Sequence, residues 1–292
     1  MVFKLTLNLI VFLSCLFVLQ SGSPEYDKLA DDQKNTNQKL DSSRNAYRDS
    51  LKISYIGNMG VLIGCDDRHI LIDALHKKYK PDYVFPSKGT VQKLINGDSG
   101  IDIALVTHHH KDHFDAVLVS DYLKENNRSI VLGSPQVTEA IAPNSKEISF
   151  SNRIKEIAYD GEMHTILHDE IEIRAFKCPH VNATRHRSVQ NIAYIIKIKG
   201  YSVLHVGDTN WDTARSSFKA QNVIDEKFDA VVLPYWMLLD KSSQKEVLES
   251  LTTKQIIATH IPPFLDDAEK KALLANHANI VLFDVLGKQI TL

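Results

Sequence analysis

Residues 101–113 read Ile-Asp-Ile-Ala-Leu-Val-Thr-His-His-His-Lys-Asp-His, an apolar, β-branched run that ends abruptly in a cluster of imidazoles and a carboxylate. The apolar part has the length and composition of a buried strand, too short for a core helix. The polar part follows at once, and loops after strands are where layered α/β sheets place their sites. Within it lies the spacing His108-x-His110-x-Asp112-His113. In an extended turn His108 and His110 project to one side and His109 to the other, while Asp112 and His113 are expected to open the next helix. Imidazole nitrogen and carboxylate oxygen suit a borderline cation such as zinc. A set without thiolates leaves the ion a stronger Lewis acid than an all-cysteine structural site would.

Working outward, the flanking sequence alternates in the same α/β manner. Downstream, 113–127 (HFDAVLVSDYLKENN) reads as a helix and 129–134 (SIVLGS) as the next strand. Upstream, 52–57, 61–65 and 69–73 form an opening β-meander, with Gly57-Asn58-Met59-Gly60 as a hairpin turn. A second block repeats the theme. Runs at 153–158, 164–168, 170–176, 191–198 and 201–206 read as strands, with Lys199-Gly200 as a tight connection. The rest alternates strand and helix: 228–234, 242–251, 255–260, 266–277 and 279–284. Two β-rich halves, each followed by helices, predict an α/β chain in which two sheets pack face to face with helices outside.

The pattern His-x-His-x-Asp-His after a strand resembles the metal-binding signature of the metallo-β-lactamase superfamily, and the resemblance covers roughly residues 52–283. It implies the four-layer αββα sandwich of that family and a set of further motifs in order. Asp73 in HILIDAL matches an early, structural Asp; His180 in KCPHVN matches a third His. Asp208 in LHVGDTN matches a bridging Asp, and His260 in IIATHIPP a last His. Carried over residue by residue, His108, His110 and His180 would hold one metal, Asp112, His113 and His260 the other, and Asp208 both. The opening SYIGNMGVLIG with LIDAL, and His186 to Asn191, resemble the lactonase and phospholipase-D-like branch. The shared Asp208 distinguishes the chain from true β-lactamases, and His110 from di-iron relatives that carry Glu there. The implied activity is metal-dependent hydrolysis of an ester, lactone or phosphodiester by a dimetal-bound hydroxide, with Asp112 and Asp208 orienting it. Two zinc ions are expected, with manganese or iron as alternatives. The competing reading is a non-catalytic metal-binding or ligand-sensing protein on the same fold.

Other residues admit two readings each. His109 is a solvated or supporting neighbour of the cluster, and His205, in mid-strand, is either a hydrogen-bonded core histidine or a support for a ligand. His164, His168 and His277 read as surface residues. Arg185 and Arg187 either clamp a substrate phosphate or carboxylate or form a solvated charge cluster. Pro234 to Leu239 either lines the mouth of the site or packs in the core. Cys65 and Cys178 either pair or remain buried thiols.

The N-terminus differs from all this. Lys4 precedes a mostly apolar run, Leu5 to Leu19, which reads as a signal peptide over 1–23, short of a spanning helix. The expected location is secreted or periplasmic, with anchoring through this segment or lipidation at Cys15 as alternatives. Residues 24–50, rich in Asp, Lys, Asn, Gln and Ser, read as a polar linker to a hydrolase domain over 51–292. Across 292 residues the formal net charge is -2, so no basic excess points to nucleic acid. A small-molecule substrate is expected, with no stable membrane span once the leader is removed; the oligomeric state is left open.

Overall fold

In the computed structural model, which describes residues 50–97, 100–145, 150–274 and 277–292, the alternating pattern that opens the domain folds as an antiparallel meander. Its strands are β1 (Lys52–Gly57), β2 (Gly60–Cys65) and β3 (Arg68–Ile72). The chain then changes to parallel pairing, in β4 (Ile103–Leu105), β5 (Ile130–Gly133) and β6 (Ile154–Glu156). Parallel neighbours need a crossover, and each has a helix: α1 (Lys88–Ile95), α2 (Ala116–Glu125) and α3 (Pro135–Ser145). The second half repeats the plan. An antiparallel run of β7 (His164–His168), β8 (Ile171–Lys177), β9 (Ile192–Ile198) and β10 (Tyr201–His205) comes first. Parallel β11 (Lys227–Pro234), β12 (Thr252–Thr259) and β13 (Ile280–Leu282) follow. Their crossovers are α4 (Trp211–Ala220), α5 (Lys241–Ser250) and α6 (Asp267–Leu274).

The result is two seven-stranded mixed sheets. The last strand, β14 (Gln289–Thr291), returns to pair with β1 in the first sheet, in the order β14-β1-β2-β3-β4-β5-β6. Side-chain alternation separates three apolar layers. Ile70, Ile72, Ile103, Leu105 and Leu132 point into the seam between the sheets and meet Ile173, Ile196, Val203, Val232 and Ile257. The intervening Leu71, Ala104 and Val131 face Val119, Tyr122 and Leu123 of α2. On the far side Leu204, Val231 and Ala258 face Trp211, Phe218 and Val247 of the second helical layer. Strands buried on both faces explain the near-continuous apolar runs in the sequence. The architecture is helix, sheet, sheet, helix, the four-layer αββα sandwich that the sequence predicts.

Some local expectations differ. Asp112 and His113 lie in a turn, not in a helix; α2 starts at Ala116, where Asp115 accepts from the backbone N–H of Val117 and Leu118 as its N-cap. Cys65 belongs to the inter-sheet layer and Cys178 to the second helical layer, so they do not pair with each other. No helix among the described residues is long and apolar enough to cross a membrane. The leader and the linker, apart from Ser50, lie outside the described residues.

Candidate metal centre

The strands of both sheets deliver their polar ends to one edge of the sandwich. Asp73 follows β3, His108 to His113 follow β4, His180 follows β8, Asp208 follows β10 and His260 follows β12. Side chains that could hold a metal ion fall into two sets, His108, His110 and His180 in one, Asp112, His113, Asp208 and His260 in the other, with the candidate ligand atoms of each set within 4.8 Å of one another. Asp208 joins them. Its Oδ2 lies 3.3 Å from His113 Nε2 and 3.4 Å from His260 Nε2, and also 3.8 Å from His180 Nε2 in the first set.

A second ring of groups fixes these side chains. Asp73, buried and at φ 47°, accepts from the Thr107 backbone N–H at 2.8 Å, from Thr107 Oγ1 at 2.6 Å and from His113 Nδ1 at 2.9 Å. The carboxylate only accepts, so His113 carries its proton on Nδ1 and presents Nε2 to the site. The Thr107 hydroxyl spends its proton on Asp73 and so accepts from His108 Nδ1 at 3.0 Å, which leaves the lone pair of His108 on Nε2, 3.0 Å from His110 Nδ1. His180 Nδ1 is taken by the Val181 carbonyl at 2.7 Å, again leaving Nε2. Asn58 Nδ2 donates to Asp112 Oδ2 at 3.0 Å and to its carbonyl at 3.2 Å, while the Asn58 carbonyl accepts from the His260 N–H. Asn191, fully buried, donates to the carbonyls of Cys178 and Val206 and accepts from the Asp208 N–H, tying the His180 and Asp208 turns together.

Charge is distributed unequally between the two sets. Burial lowers the pKa of the first three imidazoles, with further lowering from neighbouring histidines, placing His108 well below its ordinary value and His110 at about 4. Their lone pairs are therefore open to a cation at neutral pH. In the second set burial acts the same way on His113 and His260, but Asp208 and Asp112 outweigh it, so His260 is pushed up to about 9 and His113 well above its usual value. Burial would raise Asp112 and Asp208; the two histidines hold both well below the carboxylate range instead. Two buried carboxylates thus demand positive charge, which protons supply in the bare chain and a divalent ion would supply in their place. Asp208 Oδ1 and the Nε2 atoms of His180 and His260 are buried without a hydrogen bond. Buried polar atoms are nearly always bonded, so unbonded donors converging on one place fit metal ligation.

A model of the beta-lactamase superfamily domain matches residues 52–260, a span that includes all seven ligand positions. The chain belongs to the metallo-β-lactamase superfamily. No curated protein matches it. Solved structures similar to this metallo-β-lactamase-superfamily chain include the metallo-beta-lactamase fold protein YhfI from Bacillus subtilis, at 15% identity and TM-score 0.53 over 83% of this chain and 100% of that one. Another is Igni18, a novel metallo hydrolase from the archaeon Ignicoccus hospitalis, at 16% and 0.57 over 83% and 98%. A third is CmlA, a diiron beta-hydroxylase from Streptomyces venezuelae, at 16% and 0.54 over 84% and 54%. At such identities the likeness is one of fold.

The remaining sequence-selected residues sort as follows. His109 lines the cleft outside both ligand sets, with its ring 5.4 Å from that of His110. His205 is a core histidine bonded through Nε2 to the Met59 carbonyl and through Nδ1 to the Gly207 N–H. His164, His168 and His277 are half-buried, His164 with Asp160 at 2.9 Å. Arg185 lines the cleft. Arg187 is exposed and is not among the lining residues. The stretch after β11 divides: Trp236 reaches the cleft, its ring 4.7 Å from that of His260, whereas Met237 and Leu238 are buried in the second helical layer.

Sequence reasoning missed several participants. Tyr83 meets the His260 ring edge-on at 5.3 Å from a long loop that carries no motif. The ring of His186 lies 4.6 Å from that of His180 and 5.0 Å from that of His110. His76 is buried behind the second set, its pKa lowered to about 4 mainly by burial and then by His113. The 57–60 turn is more than a hairpin connection, because Asn58 supports Asp112. Two had a signal: Thr107 stands directly before the motif, and His186 opens the stretch that carries the branch resemblance.

Proposed function

We propose that this protein is a dinuclear, zinc-dependent hydrolase of esters, lactones or phosphodiesters, allied to the lactonase and phospholipase-D-like branch of its superfamily. One observation carries the reading: seven candidate ligand side chains from four strand ends form two sets with Asp208 Oδ2 in reach of both. His108, His110 and His180 would hold one ion, Asp112, His113 and His260 the other, and Asp208 would be shared. Two ions held by these residues would supply Lewis acidity sufficient to make hydroxide available near neutral pH. The protein's own part is orientation and exclusion. Asp112 and Asp208 are the acceptors that would align an attacking water, and Tyr83 and Trp236 close the cleft beside His260. No serine or cysteine is among the described residues that line the cleft, so no such nucleophile competes with water.

Zinc fits the histidine-rich set, and CmlA's two irons make iron the alternative that elemental analysis must decide. About two ions per chain are expected. His110→Ala should abolish turnover of a panel of lactones, phosphodiesters and β-lactams while leaving the melting transition cooperative, and a chelator should do the same to the wild type. A protein that carries no transition metal, or that hydrolyses the panel equally well in chelator, would overturn the proposal. The Leu5 to Leu19 run supports an extracytoplasmic location. N-terminal sequencing of the mature protein tests it, with cleavage near residue 23 expected.

A further inference from the structure

The cleft has two unlike ends. Beside the second ligand set its wall is aromatic: Tyr83 and Trp236 meet the His260 ring, and Tyr79 stacks on Tyr83 with centroids 6.4 Å apart and planes 10° from parallel. At the mouth the lining turns cationic, with Lys80, Lys111 and Arg185, all exposed. Lys80 and Lys111 come from different loops yet converge on one ring. Their ammonium nitrogens lie 5.0 Å and 5.8 Å from the centroid of Tyr79.

Among the described residues neither lysine, nor Arg185, has a carboxylate within ion-pair distance, and Asp82, the acidic group on this rim, is paired with none of them. Lys77, three residues before Lys80, shows the ordinary arrangement, with Asp115 at 3.0 Å. Like charges gathered without a counter-ion repel one another and gain when an anion settles between them. The ligand carboxylates do not serve, because Asp112 and Asp208 are already turned inward toward His113 and His260.

We propose that the substrate carries, apart from the group that is hydrolysed, a second anionic group, a carboxylate or a phosphate, held at the mouth by Lys80, Lys111 and Arg185. This rests on reading the cleft as a hydrolytic site, and it narrows the substrate class to molecules anionic at one end with the scissile bond toward the other. Arg185 offers the planar fork that suits either anion, and the two ammoniums add point charge from two other segments of the same cleft.

Binding, not turnover, tests the proposal. Calorimetry on the purified full-length protein, with its native metal content, would compare ω-phosphonoalkanoates of increasing chain length with alkylphosphonates of the same length. The wild type should bind the best-fitting bifunctional ligand about tenfold more tightly than its singly charged partner, the size of a few charge-assisted contacts. In K80A/K111A/R185A that preference should vanish, with the melting temperature nearly unchanged. Replacing the carboxylate end by a second phosphonate tells which anion the mouth prefers. No preference at any length in the wild type, or an undiminished preference in the variant, overturns the proposal. A preference that is present and lost in the variant, in a protein that hydrolyses nothing, would uphold the anion site at the mouth while sinking the hydrolase reading and, with it, the statement about substrate.

Discussion

At the residue scale the central fact is that imidazoles of the two candidate ligand sets are held from behind by acceptors outside those sets. Asp73 does the most: one carboxylate fixes His113 directly and, through Thr107, His108, one histidine in each ligand set. Asp73→Ala should therefore weaken both sites, with metal affinity falling about 10- to 100-fold as is usual when such a support is lost. Competition with a chromophoric chelator measures it, and unchanged retention would show that packing alone orients these rings. His109 teaches the converse. It shares the motif with His108 and His110 yet belongs to neither ligand set, as its opposite projection from an extended turn predicts.

At the element scale the site depends on what happens just after each strand. The turn after β10 passes through Gly207 at φ 63°, where an added Cβ would overlap Asn191 Oδ1 and come within 2.9 Å of Thr107 Cβ. Gly207→Ala therefore strains the backbone and displaces the residue that ties the His180 and Asp208 turns together. A loss of roughly 2 kcal/mol or more is expected in denaturant unfolding. A wild-type midpoint would mean that Asn191 moves aside without cost. The start of α2 offers a milder test. Asp115 accepts from two otherwise unsatisfied N–H groups and pairs with Lys77, so Asp115→Ala should cost about 1 kcal/mol and leave metal content intact. An unchanged unfolding midpoint in that variant would rule the cap out as a contributor.

At the scale of the folded domain, three apolar layers hold four layers of secondary structure, and the two cysteines among the described residues sit in different ones. Both are buried, and burial pushes the Cys178 thiol up to about 12. Neither Cys65 nor Cys178 should react with an alkylating reagent at neutral pH before the protein unfolds, and reductant should not shift the melting temperature. Rapid modification of the native protein would contradict the layer assignment. Much of the design was legible beforehand, because alternating and continuous apolar runs have a period that reports strand or helix locally, and the residues at 108–113, 180, 208 and 260 stand directly after such runs. Strand type, order of elements and identity of the donor residues are all local properties of the chain. What the chain alone left undecided was meeting in space. Tyr83 and Lys80 reach the cleft, and Asn58 reaches Asp112, from loops whose paths no periodicity encodes, and Asp208 stands between the two candidate sets only because two sheets, each built separately, close on a shared apolar seam.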